Sequence, residues 1–311
     1  MRLAGLSIPA QAAANKRFGR FKDEDEKAVR GAEAKGNITI EGLKEIWKAY
    51  AARDPYEMGF YEGALDVTRN LPYSPEDITG LCIALAEFQD VLDFHKAAGL
   101  FLSALIANSP QDDFILPVRQ FGRRIDWLGF HNTKNLTIIG DSGHYAGADM
   151  GGGSLLIKGD GHKQVGGGMT GGSILVENDA SSVGDRMEDG EIEVKGSPGE
   201  TGNDMRGGLV RIGGDCCTCG ERMKGGSMIV IGNVDIIGQS MEGGDILVKG
   251  DCIEKAGTFM KGGRVVIEGD ARGCIGVWMT GGEIRVEGSI SRIGPIRGGK
   301  IYHKGKPVAG G

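Results

Sequence analysis

Residues 220–233 read GERMKGGSMIVIGN, and this arrangement of glycine, methionine and apolar residues decides the fold. Gly220 precedes Met223 by three positions, Gly226 follows it by three, and Gly232 follows it by nine. The same arrangement recurs every 17–19 residues through the rest of the chain. In most repeats the residues before the last glycine alternate between apolar and polar, which is typical of a half-buried strand.

Two columns of the repeat are nearly invariant. The methionine column holds eight of the eleven methionines of the protein, and Ile296 takes its ninth place. Its members are Met150, Met169, Met187, Met205, Met223, Met241, Met260 and Met279. The glycine three positions later is present throughout, as Gly153, Gly172, Gly190, Gly208, Gly226, Gly244, Gly263 and Gly282. We expect the methionines to stack as an interior ladder, and the glycines to allow tight corners.

A second glycine column lies nine positions after each methionine, where Asn178 is the single exception. Asparagine tolerates the left-handed backbone region better than most residues, so this exception predicts left-handed backbone in the column. The next position is usually aspartate, asparagine or serine, which are turn-forming residues.

A strand-and-turn unit of this length cannot bury its own apolar face, so it must stack on copies of itself. The sequence therefore predicts a parallel β-helix with 18–19 residues per coil. At the usual strand spacing, nine coils after a first half-coil at residues 136–140 make a rod roughly 45 Å long. The chain as a whole is expected to be of the α+β class.

Glycine content marks the domain organisation, since 11 of the 56 glycines precede residue 131 and 45 follow. We expect an extended tail over 1–21, a helical domain over 22–108, a connector or cap over 109–130, the β-helix over 131–305 and a tail over 306–311.

Within the helical domain, the stretch EGLKEIWKAYAAR (41–53) predicts a helix with one apolar face, formed by Leu43, Ile46, Trp47 and Tyr50. Ser74 followed by Pro75 is typical of a helix start. Because an open strand edge promotes aggregation, we expect the helices or the connector to cover the first coil; the alternative is a separately tethered helical bundle.

The charge pattern excludes several classes of partner. The net charge of −6 is spread evenly along the chain, so neither half has the basic excess that nucleic acid or an anionic membrane requires. No apolar run approaches the ~20 residues of a membrane span, and the first residues lack the apolar core of a signal peptide. Six cysteines are too few for a disulfide scaffold of this length. We expect a cytoplasmic protein.

Two residue clusters are candidates for a metal site. Cys216, Cys217 and Cys219 are close in sequence, but a tetrahedral site needs a fourth ligand, and Cys252 and Cys274 fall two and three coils away. A structural role is therefore favoured for these cysteines.

The second candidate is the pair His144 and His162, which occupy matching places in successive coils near Asp141 and Asp160. Both histidines are expected to lie in a solvated turn, so a metal site is again the weaker interpretation. No catalytic or cofactor-binding residue is predicted, because the glycine-rich units precede strands and not the helix that a phosphate loop requires.

The repeat resembles a known family. Units such as GGGMTGGSILV (166–176) and GHYAGADMGGGSLLIKGD (143–160) are similar to the GXGXG β-helix family. That family includes the β-helical subunit of formylmethanofuran dehydrogenase, the matching subunit of the formyltransferase/hydrolase complex, and the C-terminal domain of the glutamate synthase large subunit. The resemblance covers residues 131–305 and implies a right-handed β-helix that holds catalytic subunits together. It has no counterpart for the helical domain.

The resemblance implies a noncatalytic scaffold subunit of a cytoplasmic oxidoreductase or formyltransferase complex, similar to the β-helical subunit of formylmethanofuran dehydrogenase. This chain would bind no cofactor, whereas partner subunits would carry molybdopterin or tungstopterin, FMN or iron–sulfur clusters. One alternative is a glutamate synthase-like subunit that supports amide-nitrogen transfer. Another, of a different class, is an autonomous enzyme or metal-binding protein that uses the histidine pair or the cysteine trio. Self-association as a homo-oligomer is left open.

Overall fold

A computed structural model describes residues 38–310. The expected tail 1–21 and the start of the helical domain, 22–37, lie outside the described residues. A small group of helices is followed by a parallel β-solenoid. The helices are α1 (Ile40–Ala51), α2 (Phe60–Thr68), α3 (Pro75–Ala84) and α4 (Phe94–Asn108), with a short 3-10 helix at Leu85–Phe88.

Two of the described helices, α1 and α3, begin at a side-chain cap. The Thr39 side chain accepts a hydrogen bond from the Gly42 N–H at the start of α1. At α3, Ser74 and Asp77 form a reciprocal capping box. The predicted apolar face of α1 is buried at Leu43, Trp47 and Tyr50.

The strands form two sheets. The long sheet has the order β1-β2-β3-β4-β6-β8-β10-β12-β14-β16-β18-β19, and the short sheet has the order β17-β15-β13-β11-β9-β7-β5. The long-sheet strands are β1 (Asp113–Pro117), β2 (Asn135–Ile139), β3 (Gly151–Lys158), β4 (Gly171–Val176), β6 (Glu191–Val194), β8 (Leu209–Ile212), β10 (Ser227–Val230), β12 (Asp245–Val248), β14 (Arg264–Ile267), β16 (Thr280–Val286), β18 (Gly298–His303) and β19 (Lys306–Gly310). Those of the short sheet are β5 (Ala180–Val183), β7 (Pro198–Thr201), β9 (Cys216–Cys219), β11 (Val234–Ile237), β13 (Cys252–Ala256), β15 (Ala271–Ile275) and β17 (Ile290–Ile293).

Successive turns stack in register, which confirms the predicted parallel β-helix. In the long sheet, Met228 pairs with Val210 on one side and with Ile246 on the other. All strands of the long sheet except β19 pair in parallel, so the solenoid has about eleven turns. The repeat alone indicates fewer, because β1 arises from the expected connector and lacks the glycine–methionine pattern.

The last described residues form β19, which returns antiparallel to β18. The sequence pattern predicts a tail there, since residues 306–311 contain no repeat. Gly305, with a φ of 75°, makes the reversal of direction. One edge of the long sheet is thus β19.

The methionine column forms the predicted interior ladder, and all eight methionines are fully buried. The glycine three positions after each methionine has left-handed backbone. A Cβ at Gly226 would lie 2.8 Å from the Met205 methyl carbon of the preceding turn, and one at Gly263 would lie 2.7 Å from the Met241 methyl carbon. From Met169 to Met279, each methionine methyl therefore fills the space that the glycine of the next turn leaves free.

The second glycine column exists for a different reason than the sequence suggests. Its members do not have left-handed backbone, apart from Gly305, and neither does Asn178, so the predicted conformation is wrong. The cause is close approach, because a Cβ at Gly159 would lie 2.5 Å from the Gly140 carbonyl oxygen of the turn before.

The turn residues after this column connect successive turns through hydrogen bonds. The Asp141 carboxylate accepts the Asp160 backbone N–H at 2.9 Å, and the Asp215 carboxylate accepts the Asn233 N–H at 2.7 Å. The same contact recurs at Asp179, Ser197, Asn233, Asp251 and Asp270. We call this series of contacts the polar ladder. Each bond satisfies a backbone donor at a corner.

The helices lie against the first strand of the solenoid. The Thr79 hydroxyl on α3 donates to the Ile115 carbonyl of β1 at 2.8 Å, and the Cys82 thiol donates to the Pro117 carbonyl at 3.2 Å. Side chains of the helices and of the solenoid share one continuous apolar core. Within residues 38–310, no helix has both the length and the apolar character needed to cross a membrane.

Replacing Gly226 with alanine tests the contact between the glycine and methionine columns. We expect a loss of about 2–4 kcal/mol in the free energy of unfolding, since Gly226 has left-handed backbone and the added Cβ would lie 2.8 Å from both the Gly207 carbonyl carbon and the Met205 methyl carbon. The matched control is Gly305→Ala, because Gly305 is also left-handed but has no atom within 4 Å of the added Cβ. That variant should lose about 1 kcal/mol. Urea denaturation measures both, and equal losses would contradict the packing argument.

Candidate functional site

Three of the five histidines of the protein line one pocket, which lies where the helices meet the first turns of the solenoid. The pocket has a volume of about 280 Å³. Its lining consists of His95, Arg123, Arg124, Asp126, Gly143, His144 and His162. We call it the histidine pocket.

Backbone contacts hold the pocket together. His95 lies in the first turn of α4, and its carbonyl accepts the Asp126 N–H at 3.2 Å. The Asp126 carboxylate in turn accepts the His144 N–H at 2.7 Å and lies 3.6 Å from the His95 Nε2. Helix α4 approaches this closely because it has Gly99 here, where any Cβ would overlap the Asp126 carbonyl oxygen. Asp126 therefore links helix, connector and solenoid.

His144 and His162 lie on successive turns with their ring centroids 4.3 Å apart. Both are half-buried, so the expectation of a solvated turn is wrong; α4 and the connector cover this side of the solenoid. The His162 Nδ1 is buried and has no hydrogen-bond partner among the described residues. Burial, followed by His144 and Arg124, lowers the pKa of His162. A lowered pKa keeps this imidazole neutral at pH 7.

The two arginines differ in their partners. Arg124 pairs with Asp141 at 3.1 Å and with Asp160 at 3.3 Å. These are the two carboxylates that the sequence associates with the histidines, and the structure joins them to Arg124 instead. Within residues 38–310, Arg123 forms no ion pair, and it is exposed.

A second cavity, of about 510 Å³, adjoins the first and shares His95 and Arg123 with it. The loop over residues 89–94 forms most of its wall. It includes Val91, Leu92 and Phe94, and 83% of the Leu92 surface is exposed. The histidine pocket thus opens beside a larger and partly apolar cavity.

The histidine pocket does not have the geometry of a metal site. Across the described part of the chain, no group of three or more histidine, cysteine, aspartate or glutamate side chains is arranged to hold a metal ion. Two guanidinium groups in the lining also repel a cation. The chemistry available is hydrogen bonding and proton transfer by imidazoles that lie beside both guanidinium groups and the Asp126 carboxylate.

The cysteine trio lies on β9, and its members differ in burial. Cys216 and Cys219 are buried, whereas Cys217 is exposed. Cys252 follows Cys216 two turns later with Val234 between them, as the register of the sequence predicts. Burial raises the pKa of the Cys219 thiol well above its ordinary value and, with smaller contributions from Asp235 and Cys216, raises that of Cys217. Raised pKa values disfavour the thiolate that metal binding needs.

Sequence reasoning finds two of the pocket residues and misses the others. His144 and His162 occupy matching places in the repeat, so their proximity is predictable. His95 and Asp126 lie in a helix and in the connector, and no spacing relates them to the repeat. One weak signal is Gly99, since a glycine inside an apolar helix is typical of a close packing contact.

Comparisons with known proteins assign no residue of this site. A scan of the sequence against protein-family models gives no match. A search among curated proteins also finds no similar sequence. The chemistry assigned to the histidine pocket therefore rests on the contacts between its own residues.

The His162 ring should titrate below the ordinary histidine pKa of about 6.5, as measured by NMR of histidine-labelled protein. Because the folded pKa is lowered, the unfolded chain binds more protons between the two pKa values. This contribution to stability is present above pH 6.5 and is lost as pH falls. His162→Gln should remove that part of the pH dependence while changing stability at pH 8 by a constant amount. A His162 pKa at or above 6.5 would contradict the burial argument.

Alkylation of the native protein should modify Cys217 first, since it is the exposed member of the trio. Its raised pKa should make the reaction slower than that of the unfolded chain. Cys217→Ser should remove the first phase, whereas the control Cys274→Ser should retain it. Protection of all three β9 cysteines from alkylation by added zinc would contradict the structural role and support a metal site.

Proposed function

We propose that this chain is a noncatalytic scaffold subunit of a multisubunit enzyme. The type that fits best is the β-helical subunit of formylmethanofuran dehydrogenase, with a right-handed GXGXG fold and a cytoplasmic location. Two observations support the proposal: the register of the glycine–methionine repeat, and a solenoid interior filled by methionine and aliphatic side chains. In this proposal the partner subunits carry molybdopterin or tungstopterin, FMN or iron–sulfur clusters.

The observation that carries the proposal is an exposed aromatic patch on one corner of the solenoid. Phe259 and Trp278 are 52% and 41% exposed and lie on adjacent turns. The Arg297 guanidinium lies over the Trp278 ring, 4.6 Å from its centroid. We call these three residues the aromatic patch. Tryptophan and arginine are the residue types that dominate binding energy at protein interfaces.

The corresponding corner of earlier turns carries small or charged residues. The residue before each methionine is, in order, Asp149, Gly168, Arg186, Asp204, Arg222 and Ser240, and then Phe259 and Trp278. The aromatic residues therefore replace polar residues or glycine, none of them buried, at positions that the fold does not require to be apolar. A patch of this kind marks a surface for another protein.

Backbone strain supports the same conclusion. Every residue in this column has left-handed backbone, with φ of 56° at Phe259 and 55° at Trp278. The fold imposes this conformation on the whole column, so what distinguishes Phe259 and Trp278 is that bulky side chains here cost of order 1 kcal/mol each. A polar residue or a glycine at these two positions would remove the exposed aromatic surface. Glycine would also remove the backbone strain.

Affinity purification of the tagged protein from its own cells, with mass spectrometry, tests the proposal. We expect stoichiometric recovery of a formyl-transfer enzyme, whereas recovery of an FMN-containing glutamate synthase would favour that alternative family member. Purification of the chain alone, at native expression level, would refute the scaffold role.

A matched pair of variants tests the aromatic patch. Phe259→Ser combined with Trp278→Ser copies the residue found at Ser240, so the fold should be retained. We expect at least a tenfold loss of the co-purified partner, equivalent to about 1.4 kcal/mol. Arg222→Ser changes the same column two turns earlier and should leave recovery unchanged. Full recovery by the double variant would place the contact elsewhere.

A further inference from the structure

We infer that the partner subunit docks an extended acidic segment on the last turn of the solenoid, along the open edge of β17. We call residues 288–310 the terminal turn. The inference rests on the scaffold proposal, because it names the chemistry of the segment that the partner supplies. Three features of the terminal turn carry it: an unpaired strand edge, a partly exposed core layer and a surplus of positive charge.

The short sheet ends in an open edge at β17, which within residues 38–310 pairs with β15 alone. From β9 to β15, the first residue of each strand donates its N–H to the following turn, as Ala271 does to the Ser289 carbonyl at 2.8 Å. Ile290 holds this position in β17, and no turn of the described chain follows to receive its N–H. The long sheet differs, because β19 folds back on β18 and contains Pro307, which cannot donate. β17 is therefore the edge that can accept another strand.

The core layer of the terminal turn is only partly covered. Ile290 and Ile293 continue the columns of Ala271 and Ile275, which are fully buried, and Ile296 continues the column of buried methionines. The three isoleucines pack against the core but remain partly exposed. Because side chains alternate along a strand, a strand added at β17 would direct half of its side chains towards this layer. Apolar residues at those positions would complete its burial.

The terminal turn is basic in a protein whose net charge is −6. It contains five lysines and arginines and no aspartate or glutamate. All five are exposed, and none forms an ion pair within the described part of the chain. These residues are Arg292, Arg297, Lys300, Lys304 and Lys306. Their side chains are therefore available to carboxylates of another molecule.

The carboxylates of the turn before do not cancel this charge. That turn, residues 270–287, holds Asp270, Glu283, Glu287, Arg272 and Arg285. Glu283 already pairs with Arg264 and Arg285. The Asp270 carboxylate accepts the Ser289 N–H at 2.7 Å. The two turns together still contain seven lysines and arginines against three carboxylates, whereas the rest of the chain contains 29 against 39.

The combination of features favours an acidic peptide segment over other occupants. The phosphates of a nucleic acid could meet the cations, but they would leave the isoleucines and the strand edge uncovered. Two terminal turns of the same protein carry the same charge and repel each other. The aromatic patch adjoins the terminal turn, since Arg297 belongs to both and lies over the Trp278 ring. A segment with alternating acidic and apolar residues would pair with β17, cover the isoleucines and meet the cations.

A short peptide of alternating valine and glutamate is the probe, and fluorescence anisotropy with the full chain measures its binding. We expect it to bind at least tenfold more tightly than a valine–lysine peptide of the same length, because of charge. It should also exceed a serine–glutamate peptide tenfold, because the isoleucines favour apolar side chains. Equal binding of the three peptides, or equally tight binding of a DNA duplex, would overturn the inference.

A pair of substitutions at Ile290 tests strand addition. Ile290→Pro removes the open N–H, and proline is compatible with this position because Pro198 occupies it in β7. Ile290→Ala keeps the N–H and removes a similar amount of apolar surface. We expect Ile290→Pro to weaken peptide binding at least tenfold more than Ile290→Ala. Equal affinities in the two variants would overturn the pairing with β17.

Charge reversal tests the cations in the complex itself. Arg292→Glu, Lys304→Glu and Lys306→Glu together should lower recovery of the co-purified partner at least tenfold, since all three side chains are exposed and the fold does not depend on them. The control makes the same change of net charge at three exposed lysines of other turns, as Lys163→Glu, Lys249→Glu and Lys255→Glu, and should leave recovery unchanged.

The outcomes separate this inference from the scaffold proposal. Full recovery of the partner by the terminal-turn variant, or equal losses in the variant and its control, would overturn the acidic segment and leave the scaffold role standing. Purification of the wild-type chain alone would refute the scaffold role and the partner with it, whereas the peptide titration reports on the terminal turn by itself.

Discussion

The contact between the methionine methyl group of one turn and the glycine of the following turn, which recurs from Met169 to Met279, is the constraint on which the solenoid depends. The glycine has left-handed backbone and no side chain, so the methyl carbon of the preceding turn occupies the position of its missing Cβ. Neither residue is useful without the other: a larger residue at the glycine would displace the methionine, and a smaller one at the methionine would leave a cavity in the core. The two columns therefore recur together, and together they set the path of every turn.

The sequence predicts this part of the fold well, because periodicity and register carry the information. It predicts parallel stacking, the buried methionines and the separation of the cysteines by whole turns. The sequence does not reveal the role of a residue that depends on contact with a neighbouring turn. Gly159 is an example, because it allows close approach of the preceding turn and does not adopt a left-handed conformation. The sequence also fails at β1 and β19, which join the sheet through backbone pairing without the repeat motif.

The candidate site is less predictable than the fold for a related reason. His144 and His162 follow the repeat, but the groups that turn them into a pocket come from elements outside it. His95 belongs to α4 and Asp126 to the connector, and only the packing of α4 at Gly99 brings them to the histidine pair. Nor does the sequence show that the residue before each methionine is left-handed, since aspartate, arginine, phenylalanine and tryptophan all occupy that place. The aromatic patch becomes visible only once these corners are aligned in space.

The polar ladder has a consequence for how such a chain can change its length. Each acceptor is matched to a backbone donor one turn further on, and aspartate, asparagine and serine all serve as the acceptor. An added turn would therefore present a backbone donor to the turn before it and a side-chain acceptor to the turn after it. Duplication or deletion of one whole 18-residue unit leaves every remaining contact of this kind in place, whereas an insertion of a few residues breaks two of them. A gene with this architecture can be resized in steps of one repeat, and the spacing between the two ends of the protein changes in steps of about 4.8 Å.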